Sequence, residues 1–246
     1  AESDGGSGDL AIITSAKASK PIDNPRGLKY LDAVLVGLKD PEMLISDARQ
    51  NARMMKADDG AARAAFKITA RSFEEEKAAG LPVRAPALKE YLTPTFYIDS
   101  DDQSIADQAR EIVGSEKNSY AACSKIRAWI YRNLKTRTDI GITRSGSDVL
   151  KSRVGVCRDY AILLAALARA AKIPSKVVSG LIYTDGAFYY HAWVECYVGK
   201  WVPFDATLAS DFVDATHIKL AEGDATAMYS LAKVIGSLKV EINGCQ

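Results

Sequence analysis

The sequence is poor in cysteine and histidine and carries almost no net charge. Its 246 residues include four cysteines and two histidines, and 32 basic residues oppose 31 acidic ones. Four scattered cysteines are too few for a disulfide scaffold, and a chain with two histidines does not favour a zinc site built on Cys/His spacing. A formal charge of +1 provides no general attraction to nucleic acid or to an anionic membrane. We therefore predict no metal, no cofactor and no nucleic-acid partner.

A long hydrophobic run is also missing. The longest clean apolar run extends from Ala161 to Ala168, far short of the roughly 18–20 residues of a membrane helix, so no membrane span is predicted. The chain begins at Ala1 without methionine, and Ala1–Asp9 is polar and rich in glycine and serine. Such a start fits a mature exported protein or a cut made inside a longer one. We expect export to the periplasm or beyond, while a cytoplasmic location and the oligomeric state stay open.

The first third of the chain is predicted to be β-rich. Alternating side chains indicate strands at Leu28–Leu38 and Ala65–Phe73. A turn is expected at Asp58-Asp59-Gly60, just before the second strand. Pro41–Met55 mixes helix formers with polar residues and shows no clear pattern.

A stretch with three prolines, Leu81–Pro94, is taken as a boundary. It divides the chain into residues 1–95, a β-rich region with a flexible start, and residues 96–246. The second part is predicted to contain the following helices and strands: helices at Ser104–Val113, Ser119–Leu134, Cys157 to about Ala171 and Asp224–Ile235, and strands at Ser175–Thr184, Phe188–Val198, Trp201–Thr207, Thr216–Leu220 and Leu238–Ile242. Helices followed by antiparallel strands are typical of an α+β fold.

Cys157 is the strongest candidate for a reactive residue. It lies in Gly155-Val156-Cys157-Arg158-Asp159-Tyr160, directly before an alanine-rich helix. The unpaired N–H groups and the dipole at a helix start stabilise negative charge, and the thiolate is the form that attacks. The same N–H groups are suited to stabilising an oxyanion. A cysteine considered alone is more often a buried structural residue, so its partners decide the interpretation.

His191 and Asp205 are the candidate partners. His191 lies within a predicted strand, and an imidazole can take the proton of a thiol and later protonate a leaving amine. Asp205 ends the next strand, where a carboxylate bonded to the far ring nitrogen would fix the tautomer. Each also has an ordinary alternative, a satisfied polar histidine and an aspartate that ends a strand. The order of a cysteine at a helix start, a histidine in a strand and an aspartate on the adjacent strand favours a catalytic triad.

The loop between these two strands provides a geometric test. Because side chains alternate between the faces of a strand, a two-residue turn at Gly199-Lys200 would put Asp205 on the wrong face for His191. A three-residue loop from Val198 to Lys200 would place Asp205 diagonal to His191 on the same face. A five-residue loop would place the two directly opposite each other. The triad therefore predicts a loop with an odd number of residues.

The remaining cysteines and the second histidine are interpreted as structural. Cys123 falls on the apolar face of the second helix, and Cys196 falls on the apolar face of its strand, so both are predicted to be buried. Cys245, near the end of the chain, gives no prediction beyond an exposed thiol. His217 lies past Asp205 and is also taken as structural.

The three candidate residues lie in three motifs, Gly155-Val156-Cys157-Arg158-Asp159-Tyr160-Ala161, His191-Ala192-Trp193-Val194-Glu195 and Trp201-Val202-Pro203-Phe204-Asp205-Ala206-Thr207. Together these motifs resemble the transglutaminase-like superfamily, a papain-like group that contains transglutaminases, peptide N-glycanases and many bacterial relatives. The segment Lys172–Gly180 is similar to the family's exit from its catalytic helix into its sheet. Relatives often have proline where Ala206 stands. Residues 1–95 match no family that we can name.

The resemblance implies a papain-like core, in which a helical layer packs on an antiparallel β-sheet. It implies that Cys157 is the nucleophile, His191 the base and Asp205 the residue that orients the base. It also implies a thioester formed from a peptide or protein amide and resolved by water or by an amine. A cysteine protease or amidase and a transglutaminase both fit, and no calcium site is predicted. The alternative is a non-catalytic binding or assembly module with the same fold.

Overall fold

The computed structural model describes residues 15–56, 60–137 and 141–246. The predicted flexible start lies in residues 1–14, and Asp58 and Asp59 of the predicted turn also lie outside the described residues. The strands are β1 Ser15–Ala18, β2 Tyr30–Val36, β3 Gln50–Met55, β4 Arg63–Thr69, β5 Lys135–Thr136, β6 Val154–Gly155, β7 Ser175–Thr184, β8 Ala187–Tyr197, β9 Trp201–Phe204, β10 Ile218–Gly223 and β11 Lys239–Cys245. The α-helices are α1 Gln103–Val113, α2 Ser119–Asn133, α3 Gly146–Ser152 and α4 Cys157–Ala170. Short 3-10 helices cover Pro25–Gly27, Pro41–Met43, Glu75–Lys77, Pro86–Leu92 and Ala225–Lys233.

Nine of these strands form one sheet, in the order β10-β7-β8-β1-β11-β2-β4-β3, with β9 paired to β8. Most neighbouring strands are antiparallel, but β1 and β11 are parallel. The predicted antiparallel sheet is therefore confirmed in part: β7, β8, β9 and β10 pair in antiparallel fashion, while the parallel pairing of β1 with β11 makes the whole sheet mixed. The division at residue 95 stays a prediction, and strands from both sides of it contribute to this one sheet.

Helix α4 is the central helix of the fold. It packs against β7, β8 and the helices α1, α2 and α3. Every residue from Asp159 to Arg169 is buried, so this helix sits in the larger hydrophobic cluster together with Cys123 and Cys196. Both cysteines are fully buried, which confirms the prediction made for them. A second cluster joins the N-terminal strands to the ends of β7 and β8. Within the described residues, no helix combines the length and apolar character needed to cross a membrane.

The hairpin of β8 and β9 has the predicted odd loop. Tyr197 pairs with Trp201, which leaves Val198 to Lys200 as a three-residue connection. Gly199 has a φ of 107°, a conformation that glycine adopts without steric cost. The same register continued by one residue places Asp205 opposite Trp193, on the face of β8 that carries His191.

The segment predicted as a helix at Asp224–Ile235 differs in kind. It forms a 3-10 helix over Ala225–Lys233 rather than an α-helix. The Ser230 hydroxyl donates to the Ala227 carbonyl at 2.8 Å. Such a side-chain bond offers the backbone an alternative to the α-helical ladder, which apolar spacing alone does not reveal.

Candidate active site

Cys157 occupies the first position of α4. Val156 precedes the helix in an extended conformation, and the Asp159 carboxylate accepts its backbone N–H at 2.9 Å. Gly155 leaves room for this contact, because a Cβ there would lie 2.7 Å from the Asp159 Cβ. The first N–H groups of a helix have no acceptor within the helix. Cys157, which is only partly buried, thus lies where backbone donors and the helix dipole favour negative charge.

His191 and Asp205 are in direct contact. The His191 Nε2 atom lies 2.7 Å from Asp205 Oδ2, while the His191 side chain is 10% exposed and that of Asp205 only 1%. Because Nε2 faces the carboxylate, Nδ1 is the ring nitrogen left for Cys157. The indole of Trp193 lies nearly parallel to the imidazole, with ring centroids 6.2 Å apart. The hairpin therefore brings His191 and Asp205 together on one face of the sheet, as expected for a loop with an odd number of residues.

Asp205 has further hydrogen bonds that hold its carboxylate in place. Its Oδ1 atom accepts the Thr207 N–H at 2.8 Å and the Thr207 hydroxyl at 2.7 Å. Its Oδ2 atom faces not only His191 but also His217 Nε2, at 3.2 Å. Sequence reasoning identified no contact for His217, and its side chain is fully buried against Asp205. The position of His217 depends on the path of the loop between β9 and β10, which the pattern of apolar and polar residues does not predict.

Gly180 makes the approach of His217 possible. It pairs with His191 on β8 and with Lys219 on β10. A Cβ added to Gly180 would lie 1.9 Å from the Ile218 carbonyl oxygen, a backbone atom that cannot turn aside. The close packing of β7 and β10 at this point carries His217 to the carboxylate of Asp205.

Substituting Gly180 with alanine should separate β10 from β7 and displace His217. Overpacking of this kind costs about 1–3 kcal/mol of unfolding free energy, and we expect a lower midpoint in urea denaturation. Ser179→Ala, a change on the neighbouring buried residue, is the matched control. Equal stability of the Gly180→Ala variant and the wild type would contradict the close contact.

The pKa values at the site favour a charged pair. Burial raises the pKa of the Cys157 thiol, but the hydrogen bond and charge of His191, with the backbone N–H of Ala192, bring it below its ordinary value. Burial lowers the pKa of His191, yet the charge and hydrogen bond of Asp205 outweigh it and raise this pKa to about 10. An ordinary thiol has a pKa of about 8.5, so the proton shared by the two residues rests on His191.

The carboxylate of Asp205 stays charged despite its burial. Burial raises its pKa, but the charges and hydrogen bonds of His191 and His217 together place it well below the usual range. Deprotonated Asp205 is thus available to stabilise the imidazolium of His191. At all three residues the charged form is favoured: the thiolate of Cys157, the imidazolium of His191 and the carboxylate of Asp205.

Two groups of side chains have the composition of a metal site. His191, Asp205 and His217 bring two ring nitrogens and a carboxylate together, and the distances of 2.7 and 3.2 Å between them are those of hydrogen bonds. The second group comprises Asp47, Glu195 and Glu222. Lys219 Nζ lies 2.6–2.8 Å from each of these three carboxylates, so an ammonium group already occupies the position of a cation.

Comparison with known proteins assigns part of the chain to a family. Residues 106–206 match the model of the transglutaminase-like superfamily, the segment that contains Cys157, His191 and Asp205. These residues belong to the transglutaminase-like superfamily. The resemblance drawn from the three motifs is thereby confirmed.

Similarity of fold to a solved structure extends beyond the matched segment. A protein of Cytophaga hutchinsonii, named as a candidate cysteine protease, has a crystal structure that superposes with a TM-score of 0.55 and 19% identity, covering 89% of this chain and 86% of that one. At that identity the likeness shows the fold. The periplasmic domain of TgpA from Pseudomonas aeruginosa aligns with a TM-score of 0.49 and 15% identity, over 81% of this chain and 91% of that one.

One curated relative shares sequence with the chain. The uncharacterized protein ML0607 of Mycobacterium leprae (strain TN) is 32% identical over 77 residues, which is 27% of this chain and 27% of the relative. The match spans about a quarter of that relative's length, so it says nothing of the activity of a whole protein.

Proposed function

We propose that this transglutaminase-like chain is a thiol-dependent enzyme that acts on peptide or protein amides through a thioester. Cys157 is the nucleophile, His191 the general acid and base, and Asp205 the residue that orients His191. The observation that carries the proposal is the contact of His191 Nε2 with Asp205 Oδ2 at 2.7 Å, together with the pKa of Cys157, which His191 lowers against the effect of burial.

The reaction begins with the thiolate of Cys157. Its Sγ atom attacks the carbonyl carbon of the amide, and the negative charge that develops on the carbonyl oxygen is stabilised by the Cys157 backbone N–H at the start of α4. As the C–N bond breaks, the His191 imidazolium donates its proton to the leaving amine. The acyl group stays on Cys157 as a thioester, and His191 is neutral.

The second half of the reaction releases the acyl group. Water or a primary amine attacks the thioester carbon and gives its proton to His191, while the C–S bond breaks and returns the electron pair to Cys157. Water yields a carboxylic acid and an amine yields a new amide. Since Cys157 and His191 are both partly exposed, either nucleophile has access to the thioester.

Thiol labelling at mildly acidic pH tests the proposal. At about pH 6, a thiol whose pKa is lowered reacts with iodoacetamide while ordinary thiols react slowly. We expect Cys157 to be labelled first, detected by mass spectrometry of tryptic peptides. The other partly exposed thiol, Cys245, is the internal reference, and the buried Cys123 and Cys196 should stay unlabelled. Equal rates for Cys157 and Cys245 would remove the chemical basis of the proposal and favour a binding module.

A substrate screen separates hydrolysis from amine transfer. Peptide amides are incubated with the protein in the presence and absence of a primary amine, and products are identified by mass. Transamidation replaces the amine of the amide with the added amine, and the mass of the product changes by the difference between the two amines. A free carboxylic acid indicates hydrolysis.

Export from the cytoplasm is proposed as well, and fractionation of cells that make the full-length protein tests it.

A further inference from the structure

His217 lies between two carboxylate-bearing residues. Its Nε2 atom is 3.2 Å from Asp205 Oδ2, and its Nδ1 atom is 3.2 Å from the Asp214 carbonyl oxygen and 3.5 Å from Asp214 Oδ1. The side chain of His217 has no exposed surface. Each partner atom is an oxygen that only accepts hydrogen bonds. Both contacts are satisfied when both ring nitrogens donate, and an imidazole with two N–H donors is the cation.

Asp214 is built to support such a cation. Its Oδ1 atom accepts the Thr216 N–H at 2.9 Å and the Thr216 hydroxyl at 2.5 Å, and Arg26 Nη1 lies 2.8 Å from its Oδ2 atom. Burial raises the pKa of the Asp214 carboxyl, but His217, Thr216 and Arg26 lower it below its ordinary value. Asp214 is thus a fully buried residue whose carboxylate is an anion next to His217.

The contacts form one row in which acidic and basic groups alternate. From the helix start to the N-terminal part of the chain, its members are Cys157, His191, Asp205, His217, Asp214 and Arg26. A second cation, Arg49, donates from Nη1 to the Val213 carbonyl at 2.8 Å and from Nη2 to the Asp214 carbonyl. The aromatic ring of Trp193 packs edge-on against His217, with centroids 5.2 Å apart. These neighbours of His217 come from β8, from the residue before β3 and from the loops on either side of His217.

We propose that His217 is a positioning residue which, as a cation held by Asp214, fixes the carboxylate of Asp205 and divides its charge between two imidazoles. The proposal rests on the function proposed above, because its effect is exerted on His191 and Cys157. The two imidazole rings lie 5.8 Å apart, centroid to centroid. At that distance one cation destabilises a second. A positive charge on His217 also favours the thiolate of Cys157 on the far side of His191, so it lowers the pH at which Cys157 loses its proton.

Replacing His217 with glutamine separates the charge from the hydrogen bond. The glutamine amide nitrogen reaches the position of Nε2 and can still donate to Asp205, but it carries no charge. We expect the pH at which Cys157 is half-reactive toward iodoacetamide to rise by roughly 0.5–1.5 units, because the variant lacks a cation that is linked to Cys157 through Asp205 and His191. We also expect kcat to fall about 10-fold with KM little changed. His217→Ala, which removes the donor as well, should lose more of kcat, and Ser179→Ala is the control for a buried change on the same sheet.

The outcomes distinguish the two proposals. If wild-type Cys157 already reacts as an ordinary thiol, the proposed function fails. If the wild type has the lowered reactivity pH and the His217→Gln variant matches it, the positioning role is overturned while the function stands. If His217 had a purely structural role, the His217→Gln variant would be less stable than the wild type, but Cys157 in its folded fraction would show the same pH profile of alkylation.

Nuclear magnetic resonance of the wild type provides a measurement that does not depend on a folded variant. The chain has only two histidines, so a sample labelled with nitrogen-15 in histidine gives two ring spin systems, which the His191→Gln variant assigns. We expect His217 at about pH 7 to show two protonated ring nitrogens. A spectrum in which one ring nitrogen of His217 is unprotonated at that pH would overturn the proposal.

Discussion

Replacing Cys157 with alanine should abolish turnover of peptide amides, with kcat/KM lower by about 10³-fold or more. Loss of a nucleophile in a triad removes the covalent path altogether and leaves only the rate that binding and backbone donors support. The Cys157→Ser variant should be almost as inactive, because a serine hydroxyl in place of a thiol does not form a stable ion pair with His191. Initial rates on the best amide from the screen are the measurement.

The Cys245→Ser variant is the matched control for Cys157→Ala. Cys245 is the other partly exposed thiol, and it lies at the end of β11, outside the contacts of His191 and Asp205. We expect this variant to keep the full rate. A Cys157→Ala variant with more than a tenth of the wild-type rate would show that the turnover comes from another group or from a contaminant.

The hairpin that carries His191 and Asp205 could be predicted because its geometry depends on residues that are close together in the sequence. Alternation in β8 assigns each side chain to a face, and the number of residues between β8 and β9 decides where Asp205 falls. The pairing of Tyr197 with Trp201 confirms the odd loop. The start of α4 at Cys157 was predictable for a similar reason, since the apolar run and the residues before it lie next to each other in sequence.

Contacts between distant segments were not predictable in this way. His217 reaches Asp205 because Gly180 lets β10 approach β7, and neither the loop before β10 nor the register of β10 leaves a local pattern. The insertion of β1 beside β8 depends on pairing across most of the chain. Strand β3 is an edge strand that, among the described residues, pairs with β4 alone. It is largely exposed, so its side chains show no alternation of apolar and polar residues.

The Asp205→Asn variant should lower kcat by about 10³- to 10⁴-fold, because the amide reverses the hydrogen bonding that orients His191. In the wild type, Asp205 accepts at Oδ2 from both His191 and His217. Where an asparagine presents its NH₂ group to His191, the Nε2 atom must become an acceptor. The ring proton then moves to Nδ1, the nitrogen that faces Cys157, and His191 can no longer take the proton of the thiol.

The same variant should change the pH dependence of Cys157 in a defined direction. The charge of Asp205 raises the pKa of His191 to about 10, so its removal lowers that pKa and His191 becomes neutral at neutral pH. The thiolate then loses its counter-ion, and alkylation of Cys157 should begin at a higher pH than in the wild type. Asp211→Asn is the matched control, because Asp211 lies in the same connection and pairs with Arg127 at 2.6 Å, away from His191. An Asp205→Asn variant that keeps both kcat and the alkylation profile of the wild type would leave Asp205 as a structural residue, and His191 would need another partner.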